Sequence, residues 1–316
     1  MSRRRQTGGI DRILEKLERN VQNGSYYEAF QMYNSIYNRL MGERKLADGL
    51  RLLESGTLLF LAHGQEDNGT KLSIMLGDHL LTNHTSPSAR LNDKLIEIIR
   101  KFGKNSDGRQ RFIPKVFKWS KMYTEHGDPR IHRACAEMYL LETDYATCCT
   151  HCQYLDLDGV EFYSQTLIEV SRYRSLRSEL GLIITWAVLQ FLTLKRTEHA
   201  RRVFKLYTSG HPQLTSPFPF QEPLLNFIQF FISAIDKQSP QLVKLLKDKY
   251  KKSLERDPCF NECIDKILWV YFKESTSAGP CMGGLGGLMQ SLFGPPPADM
   301  DTSEATRTVS ENTDLD

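Results

Sequence analysis

The stretch Ser25-Tyr-Tyr-Glu28-Ala-Phe-Gln-Met-Tyr33-Asn-Ser-Ile36-Tyr37-Asn-Arg-Leu40 decides the fold class. Tyr26, Ala29, Phe30, Tyr33, Ile36, Tyr37 and Leu40 recur at helical spacing and draw one apolar stripe along an amphipathic helix. A strand would need alternation with period two, and none runs through these residues. Ser25 and Glu28 are spaced as a capping box, the serine oxygen for a backbone N–H of the first turn and the glutamate for the N–H of Ser25.

Working outward, helix starts recur. Ser86-Pro87, Asp128-Pro129, Ser239-Pro240 and Asp257-Pro258 each set a capping oxygen before a proline suited to the first turn. The periodicity predicts helices near 10–22, 25–42, 45–62, 66–82, 88–103, 109–124, 128–141, 143–154, 157–171, 175–195, 197–208, 221–236, 240–252 and 258–273. Taken in pairs they start 29 to 43 residues apart, the range of helical repeat arrays. The expected fold is all-α, an α-solenoid of about seven stacked helical hairpins over 10–274, its halves 10–155 and 156–274. Gly24-Ser-Tyr-Tyr-Glu-Ala29 resembles the small-residue helix contact of a tetratricopeptide repeat, Glu198-His-Ala200 with Val203-Phe204 is a fainter version, and the full consensus is never met.

The 316 residues are 40% hydrophobic and 25% charged, which excludes collagen, a long coiled coil and a wholly disordered chain. The ends differ from the body. Residues 1–9 are expected to be a basic disordered start. Residues 275–297 are rich in Gly, Pro and Ser around an apolar cluster, Leu285, Leu288, Met289, Leu292 and Phe293, whose spacing predicts a short amphipathic helix on a tether. Residues 298–316 hold six acids and one base and are expected to be disordered. Removing that charge of −5 from the total of +3 leaves +8 on residues 1–297.

The longest apolar run, Leu182 to Leu194, is too short for a bilayer span of about 20 residues, so no membrane insertion is expected. Arg3-Arg-Arg5 is followed by Gln6-Thr-Gly-Gly9 and not by an apolar core, which fails as a secretory signal. The expected compartment is the cytosol, with seven reduced cysteines.

Motifs for chemistry are poor. Gly64-Gln-Glu-Asp-Asn-Gly-Thr-Lys71 is close to a phosphate-binding loop, but its last pair is transposed and it follows a helix instead of a strand; it reads as a helix-to-helix turn. Cys148, Cys149, His151 and Cys152 are zinc-ligand types, yet one short helix cannot wrap a tetrahedral ion. Only Cys259 and Cys263 could complete the set, and packing between helices is the simpler role. No nucleophile elbow and no zincin helix occurs. No catalytic residue, cofactor or metal is expected, which leaves binding, the work of helical solenoids.

Two features bear on a partner. The helix beginning Pro223-Leu-Leu-Asn-Phe227 is either buried or a groove for an apolar segment, with Phe227, Phe230, Phe231 and Ile235 as its anchors. Basic residues gather at Arg109, Arg111, Lys115, Lys118 and Lys121, and again at Lys244, Lys247, Lys249, Lys251, Lys252 and Arg256. They suit acidic proteins or, as the alternative, an RNA-binding or generic scaffolding solenoid; aromatic stacking platforms are not interleaved with them.

An ordered series of segments resembles the Golgi-to-ER traffic protein four family, the fourth subunit of the guided-entry pathway for tail-anchored membrane proteins. The segments are Gly24-Ser-Tyr-Tyr-Glu-Ala-Phe-Gln-Met-Tyr33, Ser55-Gly-Thr-Leu-Leu-Phe60, Lys118-Trp-Ser120, Gly127-Asp-Pro-Arg-Ile-His132, Ala187-Val-Leu-Gln-Phe-Leu192, Glu222-Pro-Leu-Leu-Asn-Phe227 and Asp257-Pro-Cys-Phe-Asn-Glu262. The resemblance implies a non-catalytic cytosolic adaptor. Its N-terminal repeats would engage the targeting ATPase, through Tyr26, Tyr27 and Asp78. Its C-terminal repeats would hold a ubiquitin-like adaptor protein or a BAG-family scaffold. Lys71 stands where relatives commonly carry aspartate. Lys252 to Pro258 leaves no room for the hairpin with which some members clasp the ubiquitin-like partner, which favours the scaffold-bridged arrangement.

Overall fold

The computed structural model describes residues 7–273, so the expectations for residues 1–6, for the apolar cluster of 285–293 and for the acidic tail lie outside it. Among the described residues every regular element is helical. The N-terminal elements are α1 (Thr7–Gln22), α2 (Tyr26–Gly42), α3 (Leu46–Ala62), α4 (Glu66–Thr82), α5 (Ala89–Lys101), α6 (Asp107–Ser120), α7 (Pro129–Leu141) and α8 (Tyr145–Cys152). They are followed by α9 (Val160–Arg174), α10 (Leu180–Thr193), α11 (Thr197–Gly210), α12 (Pro223–Asp236), α13 (Pro240–Lys249), α14 (Lys251–Leu254) and α15 (Pro258–Phe272).

All fourteen predicted helices are present, the first starting at Thr7 instead of residue 10. Two further elements appear among the described residues: α14, a single turn cut from the end of the predicted 240–252 helix at Tyr250, and a 3-10 turn, Arg177–Glu179, at the start of the predicted 175–195 helix. Asp128, Ser239 and Asp257 cap as expected, Asp128 accepting from Arg130 N at 2.8 Å. Two caps differ. Ser25 makes no side-chain capping bond, and α5 is capped by Ser88, two residues after the expected Ser86. Gly64, at φ +69°, takes the left-handed turn between α3 and α4, where a Cβ would strain the backbone.

The helices form two layers of a continuous array. In the N-terminal half α3 packs on α4 and α5, α4 on α6, α5 on α7, and α7 on α8. Further along, α9 packs on α11 and α10 on α11 and α12, while α15 turns back to pack on α10 and α13. This return makes α10 the centre of the C-terminal half: every residue in it is buried except Gln190. A helix apolar all round has no surface stripe and must be enclosed. The core divides into two clusters, and the division falls inside α7, where Cys135 belongs to the N-terminal cluster and Ala136 to the C-terminal one.

Candidate functional site

The expected N-terminal site is built on α2, α4 and α6. The α2 stripe turns Ala29, Tyr33 and Leu40 into the core and leaves Tyr26, Phe30 and Tyr37 half-buried along its edge. Tyr27 sits off the stripe and is 74% exposed. On α4, Lys71 holds its ammonium 5.4 Å from the centre of the Phe30 ring, a cation–π contact across the two helices. About two turns further along both helices, Tyr37 Oη lies 3.1 Å from His79 Nδ1. Burial lowers the His79 pKa and raises that of Tyr37, so the contact joins a neutral phenol to a neutral imidazole.

Asp78 is exposed on α4, and its carboxylate is paired with Lys115 of α6. Gly77 makes that pair reachable: a Cβ there would come within 2.9 Å of both Lys115 Cβ and Cδ, so the lysine lies along α4 where other residues carry a side chain. Tyr26, Tyr27, Lys71, Asp78 and Lys115 thus belong to one layer of helices. The surface combines aromatic edges with an acid already paired to a base.

The rest of the α6 basic series is not a ridge. Arg109 is buried and bonds Glu142 through both guanidinium nitrogens at 2.6 and 2.9 Å, and Arg111 meets Asp107 at 3.2 Å. Among the described residues Lys118 and Lys121 are the cations of this series left exposed outside an ion pair. The acids that neutralise the others come from the helix's own first turn, from α4 and from the end of α7.

In the C-terminal half, Phe227, Phe231 and Ile235 are in the core, the two phenylalanines with no exposed surface. They face α10 and α13, and Phe227 packs its ring 5.1 Å from Phe231 and 5.5 Å from Tyr250. In this conformation a partner cannot reach them. Phe230 is the exception at 44% exposed, where it meets the exposed Phe218 ring edge-on at 5.5 Å. Phe218 is not among the anchors expected from the sequence. It is carried by the loop before α12, which Asn226 clamps by accepting from Phe220 N at 2.8 Å and donating to Phe220 O at 2.7 Å.

Cys148, Cys149 and Cys152 are buried between α7, α8 and α9. Burial pushes Cys149 and Cys152 well above the usual thiol range, which keeps them as thiols. Among the described residues no group of three His, Cys, Asp or Glu side chains is placed to hold a metal ion. Beside them, at the joint between the two core clusters, His132 Nδ1 lies 2.9 Å from His151 Nδ1. His132 Nε2 is 3.0 Å from His126 O and must donate to it, so His132 Nδ1 accepts and His151 Nδ1–H donates.

A profile of the family described as Golgi to ER traffic protein 4 matches residues 43–293. The chain belongs to the Golgi to ER traffic protein 4 family. It is 36% identical over 295 residues to the Golgi to ER traffic protein 4 homolog of Bos taurus, spanning 92% of this chain and 89% of that one. The Homo sapiens homolog gives the same figures, 36% over 295 residues with 92% and 89% covered. The Takifugu rubripes homolog is 34% identical over 314 residues, 99% of this chain and 96% of that one. A solved structure, the crystal structure of C. therm. Get4, superposes with a TM-score of 0.78 at 24% identity, covering 96% of this chain and 99% of that chain. That likeness speaks for the fold alone: the Golgi to ER traffic protein 4 array of helices runs the described length.

Proposed function

We propose that this chain is a non-catalytic adaptor in the targeting of tail-anchored membrane proteins to the endoplasmic reticulum. It would bridge a targeting ATPase to a ubiquitin-like adaptor held through a BAG-family scaffold, in the cytosol. Family membership over nine-tenths of the chain is the observation that carries this reading. The architecture supports it: a helical array offers long, fixed surfaces. Among the described residues no helix is long and apolar enough to cross a membrane, which suits an adaptor that works beside one. The ion pairs that consume the α6 cations favour a protein partner over RNA.

The ATPase would meet the α2–α4–α6 face, with Tyr27 as the exposed aromatic, Tyr26 behind it and Asp78 as the acid. The C-terminal partner would meet the surface around Phe230 and Phe218. Co-purification followed by mass spectrometry tests the class: a targeting ATPase and a ubiquitin-like protein are expected, and the absence of both would sink the reading. Within it, Tyr27→Ala combined with Asp78→Lys is expected to weaken ATPase binding roughly tenfold, about 1.4 kcal/mol, without changing the helical circular dichroism. Unaltered affinity would move the ATPase to another face.

A further inference from the structure

The outer side of α13 exposes two leucines, Leu242 and Leu245, among Gln241, Lys244, Asp248 and Lys249. Val243, on its inner side, is fully buried, and Lys247 on the same side pairs with Asp265 of α15. Leu242, Leu245 and Lys249, spaced i, i+3 and i+7, lie on the opposite side beside Gln241 and Asp248; the two leucines are 39% and 51% exposed. In a repeat protein that side is what the next helix covers, and a terminal repeat left bare is usually polar. Lys249 and the neighbouring Lys252 are exposed, and neither is ion-paired among the described residues. The chain also returns to this place. The turn from Tyr250 to Asp257 sends α15 back along α13, and the left-handed cap at Lys273, φ 58°, ends the helix there.

We infer that residues 285–293 of this same chain form the missing cap: Leu285, Leu288, Met289, Leu292 and Phe293 pack on Leu242 and Leu245 of α13. Three observations select this occupant. The eleven residues 274–284 span up to about 40 Å when extended, enough to reach any part of a helix as short as α13. The apolar residues recur at i, i+3, i+4, i+7 and i+8, the spacing of one helical face. The acids that follow, Asp299, Asp301 and Glu304, then come within reach of Lys249 and Lys252, the −5 of the tail meeting part of the +8 of the rest. The family profile itself runs to residue 293, past the last described helix and to the final residue of the apolar cluster.

The chain carries its own probe site. Six cysteines are buried, and the seventh in the sequence is Cys281, four residues before Leu285. A nitroxide attached to Cys281 of the full-length protein is expected to broaden the methyl resonances of Leu242 and Leu245 several-fold more than those of Leu17 in α1. Cys281→Ser must abolish the effect, which assigns it to that thiol. Leu288→Asp with Leu292→Asp is expected to remove the broadening while circular dichroism and melting of the array stay unchanged, and Lys249→Glu with Lys252→Glu to reduce it. No excess broadening in the native chain, or broadening that survives Leu288→Asp with Leu292→Asp, would overturn the proposal. So would broadening in a mixture of nitroxide-labelled chains with separate isotope-labelled ones, since that places the segment on a second copy. Broadening unchanged by the lysine variants would overturn the ionic half.

Discussion

His132 shows how a single side chain couples this fold to pH. It is buried among Phe117, Tyr154 and His151, with ring centres 4.2, 4.8 and 5.1 Å away. Burial pushes its pKa down to about 4, and His151, stacked between Phe117 and Tyr139, is lowered by burial and by His132. A histidine held neutral in the fold contributes stability above its unfolded pKa near 6.5, and that contribution is lost as pH falls towards the folded value. For His132 the loss is on the order of 3 kcal/mol between pH 6.5 and 4. His199, pushed down to about 4 by burial and by Arg196, acts in the same direction. Urea unfolding at pH 7 and pH 5 is expected to show lower stability at pH 5, and His132→Gln should shrink the difference by about 1–2 kcal/mol; an equal difference in both proteins would refute the assignment. Gly56 is a second case. A Cβ on it would meet Tyr33 Cε1 at 2.6 Å and Leu72 Cδ1 at 2.8 Å, atoms of buried side chains on α2 and α4. Alanine gains up to about 1 kcal/mol of helix propensity over glycine, but overpacking costs about 1–3 kcal/mol. The clash should win, and Gly56→Ala is expected to lower the melting temperature; a rise would show that the three helices yield easily.

At the scale of the element, α12 separates two roles that its sequence runs together. Phe227, Ile228, Phe231 and Ile235 are buried, while Phe230 is exposed beside Phe218. Phe231→Ala is expected to cost about 3–5 kcal/mol, and Phe230→Ala to stay within about 0.5 kcal/mol while weakening any partner that uses the Phe218–Phe230 surface. Chemical denaturation of the two variants checks this, and equal losses would contradict the burial. The helix itself was legible from Pro223 and the apolar run. Its orientation was not, because an apolar residue occupies nearly every position from Leu224 to Ile235 except Asn226, Gln229 and Ser233, and the pattern alone cannot choose which phenylalanine faces out. α6 failed in the opposite way. Its basic residues read as a cluster, but Arg109 is neutralised by Glu142, 33 residues away, and Lys115 by Asp78, 37 residues away. Pairing at that separation is set by the stacking of helices and leaves no local mark. The capping oxygens before Pro129, Pro240 and Pro258 were readable for the converse reason: a cap is made within two or three residues.

At the scale of the molecule, the helix positions were legible because each is a local periodic signal. The place where the core divides was not. The expected halves met at residue 155, whereas the clusters meet within α7, between Cys135 and Ala136, with Tyr139 packed against both. A helix shared by two cores has no linker composition to betray it. The two halves are therefore joined through one helix and the aromatic stack around His132 and His151, and no loop separates them. In an array where each element touches only its neighbours, stability is a sum of local terms, so damage in one half need not open the other. Native-state hydrogen exchange tests how strongly this joint couples them. Phe231→Ala is expected to speed exchange in α10, α12 and α15 by the factor its destabilisation implies, while the amides of α3 and α4 keep their protection. His132→Gln, which strikes the joint, is expected to raise exchange in α7 and α8 first. If Phe231→Ala instead lowered protection uniformly from α3 to α15, the α7 joint would be rigid enough to make one cooperative unit of the array, and surfaces at its two ends would be held in fixed register by the fold itself.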